Sequence, residues 1–164
     1  MVKPNHQSVN LIADFGIEGD VHAGIHVQHL SRLIGRKKPN LRQVHLIHQE
    51  LFDELKKQGF DVSAGQMGEN ITTQNLDVLN LPQGTLLHIG ETAVLQVTGL
   101  RNPCKQLNGI YPGLMKAVLG RAADGSLIRK AGIMTVVMQS GTIRVNDKIR
   151  VEYPPEPYQT LVCV

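Results

Sequence analysis

The residue with the widest chemical reach in this chain is Cys104, set in Leu100-Arg101-Asn102-Pro103-Cys104-Lys105-Gln106 directly after a β-favouring run and the breaker Gly99. Arg101 and Lys105 stand three residues before it and one after. Cationic neighbours favour thiolate over thiol, and the thiolate is the form that attacks electrophiles or binds a soft metal. Pro103 fixes the backbone just ahead of it. The competing reading is a small buried hydrophobe, the commonest fate of a lone cysteine.

Three further segments bear on chemistry. Gly65-Gln66-Met67-Gly68-Glu69-Asn70-Ile71-Thr72 sets two glycines before polar residues and a β-favouring pair. Backbone amides in such a turn can converge on an anion, although an ordinary turn before a strand has the same composition. Gly16-Ile17-Glu18-Gly19-Asp20-Val21-His22-Ala23-Gly24 places carboxylates and a histidine between glycines, so that Asp20 could tune His22; a polar turn with Asp20 bonded to local backbone is the plainer alternative. His22, His26 and His29 fall at helical spacing, compatible with a zinc site, but Gly24 weakens the helix and no further cysteine or acidic ligand follows closely. His45 and His48, three apart in an expected strand, face opposite sides and form no pair.

Short strands and a few helices must position these residues. Gln43–His48 reads as a short strand, and Leu51, Phe52 and Leu55 recur at helical spacing within Gln49–Gln58, which Gly59 ends. Thr85–Ile89 and Ala93–Thr98 form a hairpin about Gly90-Glu91. Pro112 opens a short helix over Gly113–Leu119, and Ile133–Met138, Thr142–Val145 and Lys148–Tyr153 are three closing strands separated by Ser140-Gly141 and Asn146-Asp147. The expected fold is mainly β, an antiparallel sheet closed into a barrel with a few short peripheral helices. Pro154, Pro155 and Pro157 cannot continue a central strand, so residues 1–153 are expected to form one domain and 154–164 a loose tail carrying Cys163. Residues 21–39, rich in histidine and basic residues, read as a surface excursion.

At 164 residues and 41% hydrophobic, the chain can bury one sizeable core. Two cysteines make no disulfide framework, and the polar start Met1–Ser8 lacks the apolar stretch of a secretory signal or a membrane span. A cytoplasmic location without membrane contact is expected. The formal charge of +3 hides a basic second half containing Arg101, Lys105, Arg121, Arg129, Lys130, Arg144, Lys148 and Arg150, suited to a small anionic ligand. The absence of tryptophan, with three tyrosines and three phenylalanines, leaves little for stacking nucleic-acid bases.

Taken in order, Gly16-Ile17-Glu18-Gly19-Asp20-Val21-His22, Gly68-Glu69-Asn70-Ile71-Thr72, Thr98-Gly99-Leu100-Arg101-Asn102-Pro103-Cys104 and Gly141-Thr142-Ile143-Arg144 resemble the MOSC family (molybdenum cofactor sulfurase C-terminal) over roughly Ile12–Val151. The resemblance implies a β-barrel with the family cysteine, here Cys104, at the mouth of a pocket. In reductases of N-hydroxylated compounds that cysteine is a molybdenum ligand; in sulfurases it was viewed as a carrier of persulfide sulfur received from a pyridoxal-phosphate desulfurase. The implied cofactor is molybdenum cofactor, with Cys104 as metal ligand. Arg101, Asn102, Lys105, Gly68, Asn70, Thr72 and Arg144 are the expected cofactor contacts, and Asp20, His22 and Glu69 the expected proton carriers. No flavin or iron–sulfur motif occurs, so a separate electron-transfer protein, or a cysteine desulfurase under the sulfur-carrier alternative, is the expected partner. A non-catalytic cofactor-binding module is the remaining alternative. Val21 stands where relatives often carry a basic residue, which removes a charge from the ligand set. Asn146-Asp147 and Ala131-Gly132 replace the usual Gly-Asp and Gly pair and alter turns.

Overall fold

The structure is a computed structural model describing residues 2–20, 23–24 and 39–164. The expected excursion over residues 21–39 and the His22/His26/His29 constellation lie almost wholly outside the described residues.

Eleven described strands carry the fold: β1 (Ser8–Ile12), β2 (Gly16–Ile17), β3 (Val44–His48), β4 (Ile71–Thr73), β5 (Leu86–Ile89), β6 (Ala93–Leu100), β7 (Leu119–Arg121), β8 (Leu127–Arg129), β9 (Ile133–Gln139), β10 (Gly141–Arg144) and β11 (Ile149–Glu152). The described helices are α1 (Glu50–Lys57) and α2 (Leu114–Ala117). A six-stranded sheet runs β11-β5-β6-β9-β3-β4, and a three-stranded sheet runs β10-β1-β2. Every pairing in the larger sheet is antiparallel except β3 with β4. The expected β5–β6 hairpin is present, turning on Gly90 at φ +62°. The protein is mainly β, as the sequence pattern requires.

Both sheets close on one core, because strand alternation sends every second residue inward. Leu11, Ile17 and Ile143 from the smaller sheet meet Leu46, Leu87, Leu95 and Val137 from the larger one. Thus β3 divides its side chains between two environments. Val44 and Leu46 enter this core, whereas Ile47 points to the opposite face, into a second cluster with Leu51 and Leu55 of α1 and Leu114 of α2. His45 has the same parity as Ile47. Helix α1 buries the expected Leu51, Phe52 and Leu55, and Gly59 follows it at φ +89°. Helix α2 is shorter than expected, since Gly113 at φ +89° stands before it as its cap and not within it.

The segment after Tyr153 departs from the expectation of a loose tail. The three prolines do keep β11 from continuing, but the chain then returns to the end of β6. There Leu100 N–H donates to Val162 O (2.8 Å) and Val164 N–H donates to Leu100 O (3.3 Å). Gly99 makes this possible, because a Cβ there would lie 2.4 Å from Val162 O. An unused strand edge has unpaired backbone groups, and the tail satisfies them at the strand that leads to Cys104. Among the described residues no helix is long and apolar enough to cross a membrane.

Candidate functional site

The site begins where β6 ends. Arg101 N–H donates to Gly132 O (3.0 Å), which fixes the chain as it leaves the strand, and Pro103 is buried beneath the loop. Gly132, at φ +90°, permits a close approach: a Cβ there would stand 2.0 Å from Leu46 O on β3. Cys104 follows in extended conformation, half-buried, ahead of a 3-10 turn over Lys105–Gly109. Its Sγ lies 3.7 Å from Gln106 Oε1. The Arg101 guanidinium pKa is lowered chiefly by burial, against which the charges of Cys104 and Glu69 act, so these three groups are electrostatic neighbours. Arg101 Nη1 is buried with no hydrogen-bond partner.

Facing this loop is the Gly68-Glu69-Asn70 turn, which feeds β4. Glu69 is 2% exposed. Its Oε1 accepts from Gly65 N–H (2.5 Å) and from the Thr72 hydroxyl (3.5 Å), while Oε2 is buried without a partner. Asn70 works in two directions. Its Oδ1 accepts from His45 N–H (3.0 Å) and its own N–H donates to His45 O (2.8 Å), so the turn is locked to β3. Its Nδ2 donates to Asp20 Oδ2 (2.9 Å), and the same oxygen holds Lys3 Nζ at 2.6 Å. Lys3 arrives on the N-terminal segment, whose N–H donates to Gly65 O (2.9 Å).

His45 closes the arrangement from below. Its Nε2–H donates to Ala131 O (2.7 Å). The pKa is lowered to about 3, first by burial and then by the Arg101 charge, against smaller upward contributions from the Ala131 and Gly68 carbonyls. The ring is therefore neutral at ordinary pH. It joins the strand that holds Asn70 to the Ala131-Gly132 turn that holds Arg101.

Cys104, Arg101, Glu69, Asn70, Gly68, Thr72 and Asp20 are thus brought to one end of the larger sheet. Lys105 and Asn102 lie on its exposed rim, where Asn102 Oδ1 accepts from Arg129 Nε (3.4 Å). Arg144 is not brought there. It sits exposed at the end of β10, where its N–H donates to Asp147 Oδ2 (2.8 Å), and Asp147 packs on Gly90 at the start of β6. Cys104 follows the other end of that strand, so the distance along β6 separates the two. His22 lies outside the described residues. Among the described residues no group of three or more His, Cys, Asp or Glu side chains could hold a metal ion. A groove of about 480 Å³ lies elsewhere, between α1 and α2, lined by Glu54, Gln58, Phe60, Lys116, Leu119 and Lys130.

Sequence reasoning missed Lys3 and His45. His45 had a usable signal: with Val44 and Leu46 forming an inward face, it had to point with Ile47 toward the side that carries the loops. Lys3 had none, since its place depends on docking of the N-terminal segment.

The comparisons agree with this architecture. A family model described as "MOSC domain" matches residues 19–150. The crystal structure of YuaD from Bacillus subtilis is similar over 94% of this chain and 89% of that one, at 22% identity and a TM-score of 0.73. That of YiiM from Geobacillus stearothermophilus is 26% identical over 68% of this chain, with a TM-score of 0.57, and the match spans about half (54%) of its length. YiiM from Escherichia coli is 20% identical over 93% of this chain and 65% of its own, with a TM-score of 0.61. No curated protein matches the chain. With the family model covering most of the chain, the strand-borne Pro103-Cys104 loop and the facing Gly68-Glu69-Asn70 turn are those of a protein that belongs to the MOSC domain family.

Proposed function

We propose that this chain binds molybdenum cofactor with Cys104 as metal ligand and reduces N-hydroxylated or N-oxide compounds using electrons from a separate protein. The observation that carries this reading is the half-buried Cys104 with Arg101 as an electrostatic neighbour, whose buried Nη1 has no hydrogen-bond partner. A soft sulfur donor beside an unsatisfied guanidinium suits a thiophilic metal on an anionic carrier. Arg101, Asn70 and Lys105 would hold the anionic part, with Asn102, Gly68 and Thr72 completing the surroundings. When bound, the cofactor supplies the redox centre for cleaving an N–O bond.

The chain's own residues divide the remaining work. Glu69 has one oxygen anchored to Gly65 N–H and the other unpartnered, the arrangement of a carboxyl able to hold and release a proton at Oε2. Asp20 has an oxygen engaged by both Lys3 and Asn70, which makes it an orienting group. His45 is neutral down to about pH 3 and positions its neighbours instead of donating protons. A persulfide-carrying Cys104 is the second reading, favoured by the half-buried rather than buried position of the cysteine on its loop.

The test is molybdenum and pterin analysis of protein purified from a host that makes the cofactor, comparing wild type with Cys104→Ser. Near-stoichiometric metal in wild type, absent from the variant, supports the ligand role. Metal in neither, with a gain of about 32 Da on Cys104 after incubation with a desulfurase and cysteine, replaces it with sulfur transfer.

A further inference from the structure

We propose that the β7–β8 hairpin and the adjoining Cys104 loop form the docking surface for an acidic protein that delivers electrons to this site, an inference that rests on the redox reading of Cys104. Charge distribution is the first observation. Residues 101–130 carry six cations (Arg101, Lys105, Lys116, Arg121, Arg129 and Lys130) against one carboxylate, Asp124, a net +5; with +3 for the whole chain, the other 134 residues carry −2. The stretch that holds the cysteine therefore carries a local excess of positive charge. Asp124 keeps its charge at the hairpin turn, where it accepts from the Ser126 N–H (2.9 Å), and Lys130 is paired with Glu54, so Lys105, Arg121 and Arg129 supply the field beside the cysteine. A single-sign field around one site steers and orients a partner of opposite charge.

Geometry directs that field. In the hairpin Leu119 pairs with Arg129 and Arg121 with Leu127, so strand alternation puts these four side chains on one face. Arg129 on that face reaches Asn102, two residues before Cys104. The face bearing Arg121 and Leu127 therefore adjoins the cysteine loop. Leu127 is 43% exposed on that face, on a two-stranded ribbon that pairs with no other sheet among the described residues. An exposed leucine flanked by Arg121 and Arg129 is the composition of an interface anchor with a charged rim. The occupant is a protein and not a nucleic acid, because no described aromatic side chain lies on the hairpin for bases to stack on.

The experiment is amide-shift mapping by NMR on the full-length chain with two small proteins of opposite charge: an acidic plant-type [2Fe–2S] ferredoxin as probe and a basic cytochrome c as control. At about 20 mM salt the ferredoxin should shift Arg121, Leu127 and Arg129, an effect that salt near 0.5 M removes and that cytochrome c does not reproduce. Arg121→Glu should weaken the ferredoxin complex about tenfold and Leu127→Ser about threefold, with molybdenum content unchanged. Arg121→Ser serves if the charge reversal fails to fold, with a smaller loss expected. Shifts confined to another surface, no dependence on salt, or displacement of the ferredoxin from the hairpin by a short oligonucleotide would overturn the proposal. Ferredoxin binding at the hairpin in protein lacking molybdenum would keep the docking surface while the ligand role of Cys104 fails. Metal-loaded protein that ignores the ferredoxin would sink the docking surface alone.

Discussion

Asp20, His45, Glu69 and Asn70 are each fastened to a residue elsewhere in the fold: a lysine from the N-terminal segment, the Ala131 carbonyl, the Gly65 amide, the His45 backbone. Beside them Cys104, Asn102 and Lys105 ride a loop on which, among the described residues, these three side chains make two weak hydrogen bonds, at 3.7 and 3.4 Å. The difference follows from burial. A polar group removed from water must have a partner or lose about 1–3 kcal/mol, whereas one at the rim keeps water as its partner. The buried side is thus a frame that tolerates little change, and the exposed side is free to meet ligands and proteins.

That contrast can be broken at several points, and the largest effect is expected at the frame's tightest contact. Gly132→Ala would place a Cβ 2.0 Å from Leu46 O at φ +90°, and a loss of more than about 3 kcal/mol should appear as a lowered urea midpoint or failure to fold. His45 gives the next. Unfolded histidine binds a proton below about pH 6.5, but folded His45 does not until about pH 3, so over that window the unfolded state carries the extra proton and folding weakens as pH falls. Over the whole window the loss amounts to about 5 kcal/mol. Urea midpoints at pH 7, 5 and 4 should therefore drop more steeply for wild type than for His45→Gln, which does not titrate. Equal slopes would mean that the ring charges without cost.

On the exposed side stability should scarcely respond. Cys104→Ser is expected to change it by less than about 1 kcal/mol in thermal unfolding while removing bound metal; a larger loss of stability would place Cys104 in the frame. Lys105→Ala, the smallest change, should stay within about 0.5 kcal/mol and weaken inorganic phosphate binding by no more than severalfold in calorimetric titration.

Much of this division was legible in the residues. Leu51, Phe52 and Leu55 announced α1 by their spacing, Gly90-Glu91 announced the β5–β6 turn, and Pro103-Cys104 announced a loop at a strand end, although β6 runs through the expected breaker Gly99 to Leu100. His45 was readable in principle, since parity along β3 decides which face it joins, but parity alone does not say what lies across that face. Arg144 shows the reverse: it belongs to a segment that resembles the family, and only the path of β10 beside β1 carries it to the far end of β6. Gly113 was assigned to α2 by pattern and stands outside it because its positive φ cannot continue a helix.

By itself, the sequence determined the elements, their mainly β character, the family and the cysteine around which the chemistry is proposed, because hydrophobic period, turn residues and motif order are local properties. Tertiary structure alone decided which polar groups meet. Lys3 and Asp20, Asn70 and His45, Ala131 and His45, and Leu100 and Val162 are partners separated by 17 to 86 positions. Such pairs form only when the sheet closes and each buried donor must find an acceptor, a condition set by the whole fold and written in no single segment.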